Sequence, residues 1–385
     1  MRFEPVAAAR RLTAASGSGC IDAINSRCRR CENFPRPKLR RQAVKLFGPL
    51  KMPKICKSLR WPPVAVWLST FLILTPLASA VAIDRKSDQV RPRSEALKKA
   101  KTTLIEFGTS PFPYDGLVPE KDTPFLDIVS GDRNGHRMPS GRIYWEDVTY
   151  RERRVLLHIP KGYDLTRPGI MVVFFHGHRA TLGRDVRDRQ LVPAQVSASG
   201  INAVLVAPQF AFNASDSSAG HFWEAGAFGR FVAEAGIKLA ELHGNPTAAG
   251  VFANMPVVIV SYSGGYLATA WCLDIGGLES RVRGVVLLDA LYGELDKFVA
   301  WIANNKTAFF VSAYTDSTQQ NNMTLKTILT EHEIPVSTAL NQNKWKRGVT
   351  FLATNPEVKH EDFVTQAWVD YPIKDILRRL DEYRR

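Results

Sequence analysis

Short, largely apolar runs recur along the chain from residue 155 onward. They are rich in Val, Ile, Leu and Phe and occupy residues 155–159, 170–175, 203–207, 257–260, 285–288, 309–313 and 349–353. Runs of this length without alternating polar positions are typical of strands that are buried on both faces. The pattern therefore predicts a sheet whose strands lie in the interior of the protein.

Helix-like stretches lie between most of these runs, and another closes the chain. They occupy 229–242, 265–273, 322–329 and 372–385, the last with one helical stripe of Ile373, Ile376, Leu377 and Leu380. Strands that alternate with helices predict an α/β fold with a mostly parallel sheet and helices on both faces. Right-handed crossovers would place the functional loops at the carboxyl ends of the strands. We assign 142–385 to this one domain, with no internal repeat.

The segment before this domain has a different pattern. Residues 82–141 are polar, contain several prolines and show no clear hydrophobic period. We describe them as a polar lead-in to which the sequence assigns no architecture.

An apolar segment near the front of the chain has the layout of a secretory signal peptide. Residues 61–80 follow Lys54, Lys57 and Arg60, and they end on the small residues Ala78-Ser79-Ala80. The apolar part is short for a membrane span, which needs about 20 apolar residues. We therefore predict a signal peptide over 52–81 and a periplasmic or secreted protein without a stable membrane span after cleavage. A retained membrane anchor through 61–80 is the alternative.

Residues 1–51 precede this leader and look like basic coil. Met52 begins a charged leader of suitable length, MPKICKSLR, so we interpret 1–51 as a basic extension that an over-extended start assignment would explain. The mature chain would then begin near Val81 or Ala82. A genuine basic extension is the alternative.

The front segment also carries most of the excess charge and most of the cysteines. The net charge of +14 would by itself suggest a nucleic-acid partner, but 15 of the 51 basic residues and only 3 of the 37 acidic ones lie in 1–82. The remainder is almost neutral, so we expect no nucleic-acid partner. Cys28 and Cys31 have zinc-ligand spacing, yet no second ligand pair follows them, and no metal is predicted there.

A candidate nucleophile follows the apolar run 257–260. The residues Ser261-Tyr262-Ser263-Gly264-Gly265 separate this predicted strand from a predicted helix. A strained turn between a strand and a helix requires small residues two before and two after the nucleophile, and Ser261 and Gly265 meet that requirement. Ser261 stands two residues before the candidate nucleophile, at a position where this kind of turn usually has glycine. We predict Ser263 as the nucleophile, whereas a Gly-rich turn with a capping serine is the structural alternative.

The position of each histidine along the chain selects a candidate base. His360 lies shortly after the last predicted strand, which is where serine hydrolases with a parallel sheet carry their general base. His158, His243 and His332 lie in contexts typical of structural or solvated residues. A solvated loop histidine is the alternative reading of His360.

Two aspartates could orient that histidine. Asp289 ends the run 285–288 and is flanked by apolar residues, so its carboxylate needs a buried partner. Asp316 follows the run 309–313 and lies among Thr and Ser, a context that equally suits a solvated turn. We favour Asp289 and retain Asp316 as the alternative acid.

The run 170–175 leads into His176-Gly177-His178, a turn whose backbone could help to stabilise an oxyanion. We predict that the N–H of Gly264 and one N–H near His178 or Arg179 form the oxyanion hole. The alternating histidines could instead bind a metal, but only two ligands are visible. Candidate substrate-binding residues are the aromatics of 209–227 and their neighbours: His176, Phe210, Phe212, His221, Trp223 and Tyr262.

These motifs, in this order, resemble the α/β-hydrolase superfamily over about residues 150–372. The segment Arg154-Val-Leu-Leu-His-Ile-Pro-Lys-Gly-Tyr163 is similar to secreted serine carboxylesterases related to polyhydroxyalkanoate depolymerases and feruloyl esterases. The resemblance implies acyl transfer through an acyl-enzyme, a small-molecule or polymeric ester or amide substrate, and no cofactor. An amidase or peptidase acting on cell-envelope material, or a non-catalytic binding protein on the same fold, are the alternative functions.

Overall fold

The computed structural model describes residues 96–340 and 347–385. All of them belong to one unit, Arg85–Arg385. The predicted basic extension, signal peptide and Cys28–Cys31 pair lie outside the described residues and stay predictions. Within the described ranges, no helix is long and apolar enough to cross a membrane.

Strands and helices alternate along most of the described chain. The strands are β1 (Lys101–Glu106), β2 (Leu117–Val118), β3 (Thr123–Pro124), β4 (Ile128–Ser130), β5 (Arg133–Arg137), β6 (Ile143–Trp145), β7 (Arg154–Ile159), β8 (Ile170–Phe175), β9 (Ala203–Pro208), β10 (Val257–Tyr262), β11 (Val282–Leu288), β12 (Phe309–Tyr314), β13 (Val336–Ser337) and β14 (Gly348–Ala353). The α-helices are α1 (Glu146–Thr149), α2 (Val192–Ala198), α3 (Ala227–His243), α4 (Ala249–Ala253), α5 (Tyr266–Ile275), α6 (Leu295–Asn304), α7 (Gln319–Glu331) and α8 (Pro372–Arg378).

The main sheet has the order β1-β7-β9-β8-β10-β11-β12-β14-β13. From β9 to β13 neighbouring strands are parallel, whereas β7 is antiparallel to both β1 and β9. Every apolar run of the sequence analysis forms a strand of this sheet. The predicted α/β fold with a mostly parallel sheet is therefore confirmed.

Alternate residues of the sheet face two separate layers of core. In β10, Val257 and Ile259 pack with α3 and α5 on one face, while Val258 and Val260 pack with α2 and α8 on the other. Burial on both faces explains why the run is apolar without alternation. Each such side chain contributes about 1.5–3 kcal/mol by leaving water, so the central strands form a firm base for the loops at their carboxyl ends.

The lead-in segment has an architecture that the sequence analysis left unassigned. Its β1 pairs with β7 at one edge of the main sheet, and β2 and β3 form a small sheet. Its β4 and β5 form another small sheet with β6, which lies just past the predicted boundary at residue 141. The aromatic residues Phe107, Phe112 and Phe125 are buried in the same core cluster as the main-sheet residues. The segment is thus packed onto the sheet domain.

The closing helix is shorter than predicted. α8 ends at Arg378, and a 3-10 turn, Asp381–Tyr383, follows it. The predicted stripe of Ile373, Ile376, Leu377 and Leu380 is nevertheless buried against α2 and the sheet. Packing therefore fixes the stripe although the helix covers only its first three members.

Candidate active site

The turn between β10 and α5 presents the Ser263 hydroxyl at the carboxyl edge of the sheet. Ser263 has φ of +51°, a left-handed conformation that is uncommon for a residue with a side chain and marks local strain. A Cβ on Gly265 would lie 2.7 Å from the carbonyl oxygen of Phe175. The turn therefore needs glycine two residues after the serine, because β8 passes so close.

His360 connects Ser263 to an acid. Its Nε2 lies 2.8 Å from Ser263 Oγ, and its Nδ1 lies 2.6 Å from Asp289 Oδ2. His360 follows β14 in a short 3-10 turn, and Asp289 follows β11 directly. Three loops that are distant in sequence thus bring Ser263, His360 and Asp289 into one hydrogen-bonded chain.

The carboxylate of Asp289 is fully buried and surrounded by donors. It accepts hydrogen bonds from the backbone N–H and hydroxyl of Thr315 and from the hydroxyls of Ser317 and Thr318. Burial by itself would raise the pKa of Asp289, but hydrogen bonds from His360, Thr318 and Thr315 outweigh burial and hold that pKa well below its usual range. The ionised carboxylate accepts the Nδ1–H of His360 and leaves Nε2 facing the serine.

The alternative acid, Asp316, does not contact His360. Its side chain is exposed, while its neighbours Thr315, Ser317 and Thr318 turn their hydroxyls toward Asp289. The Ser/Thr cluster that suggested a solvated turn in the sequence is therefore the set of donors for the other aspartate.

The turn after β8 lies against the serine. A Cβ on Gly177 would lie 2.7 Å from Ser263 Cβ, and a Cβ on Gly264 would lie 2.5 Å from the ring of His178. The N–H of Gly264 is in the first turn of a 3-10 segment, where backbone N–H groups have no partner within the helix. The N–H groups of Gly264 and His178 are therefore the candidates for an oxyanion hole.

One predicted oxyanion donor needs correction. The backbone N–H of Arg179 donates to the carbonyl of Ala214 at 2.7 Å. That bond fixes the turn after β8 to the 214–218 segment and occupies the N–H of Arg179, which the sequence analysis had named beside that of His178 as a possible oxyanion donor.

Two predicted substrate-binding residues are buried structural residues instead. His176 accepts hydrogen bonds from the N–H of Phe210 and the side-chain amide of Gln209 through Nε2, and its Nδ1 donates to the carbonyl of Gly177. Burial lowers the pKa of His176 to about 4, so the ring is neutral and able to accept those bonds. Phe210 packs edge-on against Phe175 in the core.

Phe212 and His221 also lie away from the serine. Phe212 lines a separate surface depression together with Leu104 and Thr181. The His221 ring lies against Tyr114, and its Nδ1 is 3.0 Å from Glu224 Oε1. The aromatic character of the loop had suggested a substrate contact, but the His221 ring instead connects this loop after β9 to Tyr114 of the lead-in segment.

Ser263 opens onto a cavity of about 480 Å³. Tyr262, predicted as a substrate contact, lines this cavity, stacks on the His360 ring and donates its hydroxyl to the carbonyl of His360. The sequence analysis missed four of the lining side chains, namely Ser215, Ser217, Tyr266 and Tyr292. They come from the loop after β9, the first residue of α5 and the loop after β11, and only the folded arrangement brings them together.

A larger cavity of about 820 Å³ adjoins the first and shares His178, Ser217 and Tyr266 with it. Trp223, predicted as a substrate contact, lines this second cavity together with Trp271. One wall consists of residues 118–141 of the lead-in segment. A substrate that is too large for the first cavity could therefore extend along the second.

The order of the main sheet, the antiparallel inner strand β7 and the strained serine turn after β10 define an α/β-hydrolase fold.

No protein-family model matches the sequence, and no curated protein matches it.

Several solved structures are similar to the chain at low identity. A mutant feruloyl esterase module from Clostridium thermocellum in complex with sinapinate is 12% identical, and the match covers 71% of this chain and 96% of that one with a TM-score of 0.38. An S-formylglutathione hydrolase from Agrobacterium tumefaciens is 12% identical over 67% of this chain and 98% of its own, with a TM-score of 0.38. A ferulic acid esterase is 11% identical over 74% and 98%, with a TM-score of 0.41.

Proposed function

We propose that the protein is a serine hydrolase that cleaves carboxylic esters through an acyl-enzyme. One observation carries this proposal: the hydrogen-bonded chain from Ser263 through His360 to the buried carboxylate of Asp289, at the edge of a cavity that can admit a substrate. A nucleophile, a base and an orienting acid in this order form the arrangement that activates serine in hydrolases.

In the proposed reaction, Ser263 Oγ attacks the ester carbonyl carbon while its proton passes to His360 Nε2. The imidazolium that results is stabilised by Asp289, and the tetrahedral oxyanion accepts hydrogen bonds from the N–H groups of Gly264 and His178. His360 then donates its proton to the departing alcohol oxygen as the C–O bond breaks. In the second half of the reaction, His360 takes a proton from water as the water oxygen attacks the acyl carbon, and it then returns the proton to Ser263 Oγ. The bond between Ser263 and the acyl group breaks, which releases the carboxylic acid.

We also propose that the protein acts outside the cytoplasm, in the periplasm or after secretion. The basic leader 52–60, the apolar run and the small residues 78–80 support this location. Cell fractionation, with N-terminal sequencing of the exported form, tests it. A new N-terminus near Val81 is expected, whereas full-length protein in the cytoplasm would contradict the proposal.

The test of the activity uses the full chain with p-nitrophenyl butyrate and the matching p-nitroanilide. We expect steady release of nitrophenol and much slower release of nitroaniline, because an amine must be protonated as it departs and an ester alcohol need not be. Ser263→Ala should lose at least about a thousandfold in kcat. Cleavage of the anilide as fast as the ester would instead support the alternative function, an amidase. Folded wild-type protein that cleaves neither compound would contradict the proposal.

A further inference from the structure

Four arginines follow β8 within one surface segment, and three of them are paired with carboxylates. Arg184 lies 2.8 Å from Asp185, Arg189 lies 3.1 Å from the same carboxylate, and Arg187 lies 2.7 Å from Asp188. Among the described residues, no Asp or Glu forms an ion pair with Arg179, the fourth arginine. Arg179 is also the one of the four that lines the cavity containing Ser263.

Arg179 is held in place from two sides. Its backbone has φ of +58° and donates its N–H to Ala214, while its side-chain Nε donates to Ser215 Oγ at 2.8 Å. A left-handed conformation is unfavourable for a residue with a side chain, so the surrounding contacts must maintain it. A neutral hydroxyl accepts from Nε and leaves the charge of the guanidinium uncompensated, with its terminal N–H groups still able to donate.

Among the described residues that line the cavity around Arg179, none is Asp or Glu. Its polar lining includes the hydroxyl groups of Ser215, Ser217, Tyr266 and Tyr292. Asp216, beside Ser215 in the chain, is buried, and its carboxylate accepts from the Tyr150 hydroxyl and from the backbone N–H and hydroxyl of Ser218. Asp289 lies behind His360. The cavity is therefore rich in hydrogen-bond donors and carries a positive charge.

We propose that Arg179 is a specificity-determining residue that binds a carboxylate on the substrate, so that the enzyme prefers esters bearing a second, ionised carboxyl group. The inference rests on the proposed function and names the substrate class of the same site. A guanidinium can donate two parallel hydrogen bonds to a carboxylate, and such charge-assisted bonds are stronger than neutral ones. Arg179 is exposed to solvent, so the expected preference is about tenfold rather than many orders of magnitude.

The test compares pairs of p-nitrophenyl esters whose acyl chains end either in an ionised carboxyl group or in the same group capped as its neutral methyl ester. The half-esters of adipic and suberic acid carry a free carboxylate, and their methyl-capped counterparts are neutral. We expect kcat/KM of the full chain to be at least about tenfold higher for the charged member of one or both pairs. The ratio should fall as salt is added, because salt screens a solvent-accessible charge pair.

Variants assign the preference to one residue. Arg179→Gln should bring the charged-to-neutral ratio to about 1, and Arg179→Lys should retain part of it. The matched control is Arg187→Gln, an arginine of the same segment that is paired with Asp188 and does not line the cavity; its ratio should equal that of the wild type. Each ratio is measured within one variant, so a partly folded preparation does not change it.

The outcomes separate this inference from the proposed function. If neutral esters are hydrolysed in a Ser263-dependent way but the charged members are not preferred, or if Arg179→Gln keeps the preference, the role of Arg179 is refuted and the esterase stands. If no ester is hydrolysed and Ser263 is inert, the proposed function itself fails.

Discussion

Asp289 illustrates what single residues of the sequence could and could not decide. The sequence narrowed the acid to two aspartates, because both follow predicted strands between Ser263 and His360. It could not choose firmly between them, since the choice depends on which carboxylate the hydroxyls of the loop after β12 surround. In the structure those hydroxyls, from Thr315, Ser317 and Thr318, surround Asp289.

The first prediction separates the two aspartates by activity. Asp289→Asn should lower kcat for p-nitrophenyl butyrate by about a thousandfold or more, because an amide facing Nδ1 favours the wrong tautomer of His360 and does not stabilise the imidazolium. Asp316→Asn should stay within about twofold of the wild type, since Asp316 is exposed and does not contact His360. Steady-state kinetics measure both, and thermal melting verifies folding. An equal loss in the two variants would be inconsistent with Asp289 as the acid.

His176 and His178 show a second limit at this scale. The two histidines flank the same glycine, and the sequence offered no way to tell which one faces the cavity. The structure buries His176 under Gln209 and Phe210 and places His178 against Gly264. In an extended chain, residues two apart would face the same side. The chain instead leaves β8 after Phe175 and turns at residues 178–179, where Arg179 has φ of +58°, so the two rings face different surroundings.

At the scale of elements, the sequence predicted the central strands well. The run 170–175 corresponds to β8 residue for residue, and 257–260 lies within the slightly longer β10. Burial on both faces leaves a strong apolar signal, whereas the last residues of β10, Ser261 and Tyr262, continue the ladder without it. The sequence also located the serine turn, but it could not reveal how closely β8 and its following turn approach that turn.

The second prediction tests this close approach. Gly177→Ala should lower kcat by about a hundredfold or more, because the new methyl group would lie 2.7 Å from Ser263 Cβ and displace the nucleophile from His360. Gly183→Ala is the matched control on the same segment, since its nearest neighbour is an arginine side-chain nitrogen 3.7 Å away. Kinetics with p-nitrophenyl butyrate compare the two. Wild-type activity in Gly177→Ala would mean that the turn after β8 does not support the serine.

At the scale of the whole molecule, the largest gap in the sequence analysis was the lead-in segment. Its strands β2 to β5 contain two to five residues each and include a proline, so they are too short for a hydrophobic period to appear. Contacts with distant parts of the chain hold them. Phe125 stacks on His136 and packs edge-on against Tyr150. The part of the second cavity that the lead-in segment forms could therefore not be predicted from the local sequence pattern.

The third prediction tests whether the lead-in shares the core of the main domain. Phe125→Ala should lower the free energy of unfolding by about 3–5 kcal/mol, because the aromatic ring is fully buried and its removal leaves a cavity. Val129→Ala, at a side chain that is 73% exposed, should change it by less than about 0.5 kcal/mol. Urea unfolding followed by circular dichroism gives both values. A separate early transition with an unchanged main one would show that the lead-in folds independently.

Labelling by a fluorophosphonate tests the central claim most directly. The full chain is incubated with the probe, digested and analysed by mass spectrometry, alongside Ser263→Ala and Asp289→Asn. The account predicts one modified peptide, carrying the phosphonate on Ser263, with no labelling in Ser263→Ala and much slower labelling in Asp289→Asn. Well-folded protein that stays unlabelled, or that is labelled at a different serine, would contradict the assignment of Ser263 as an activated nucleophile.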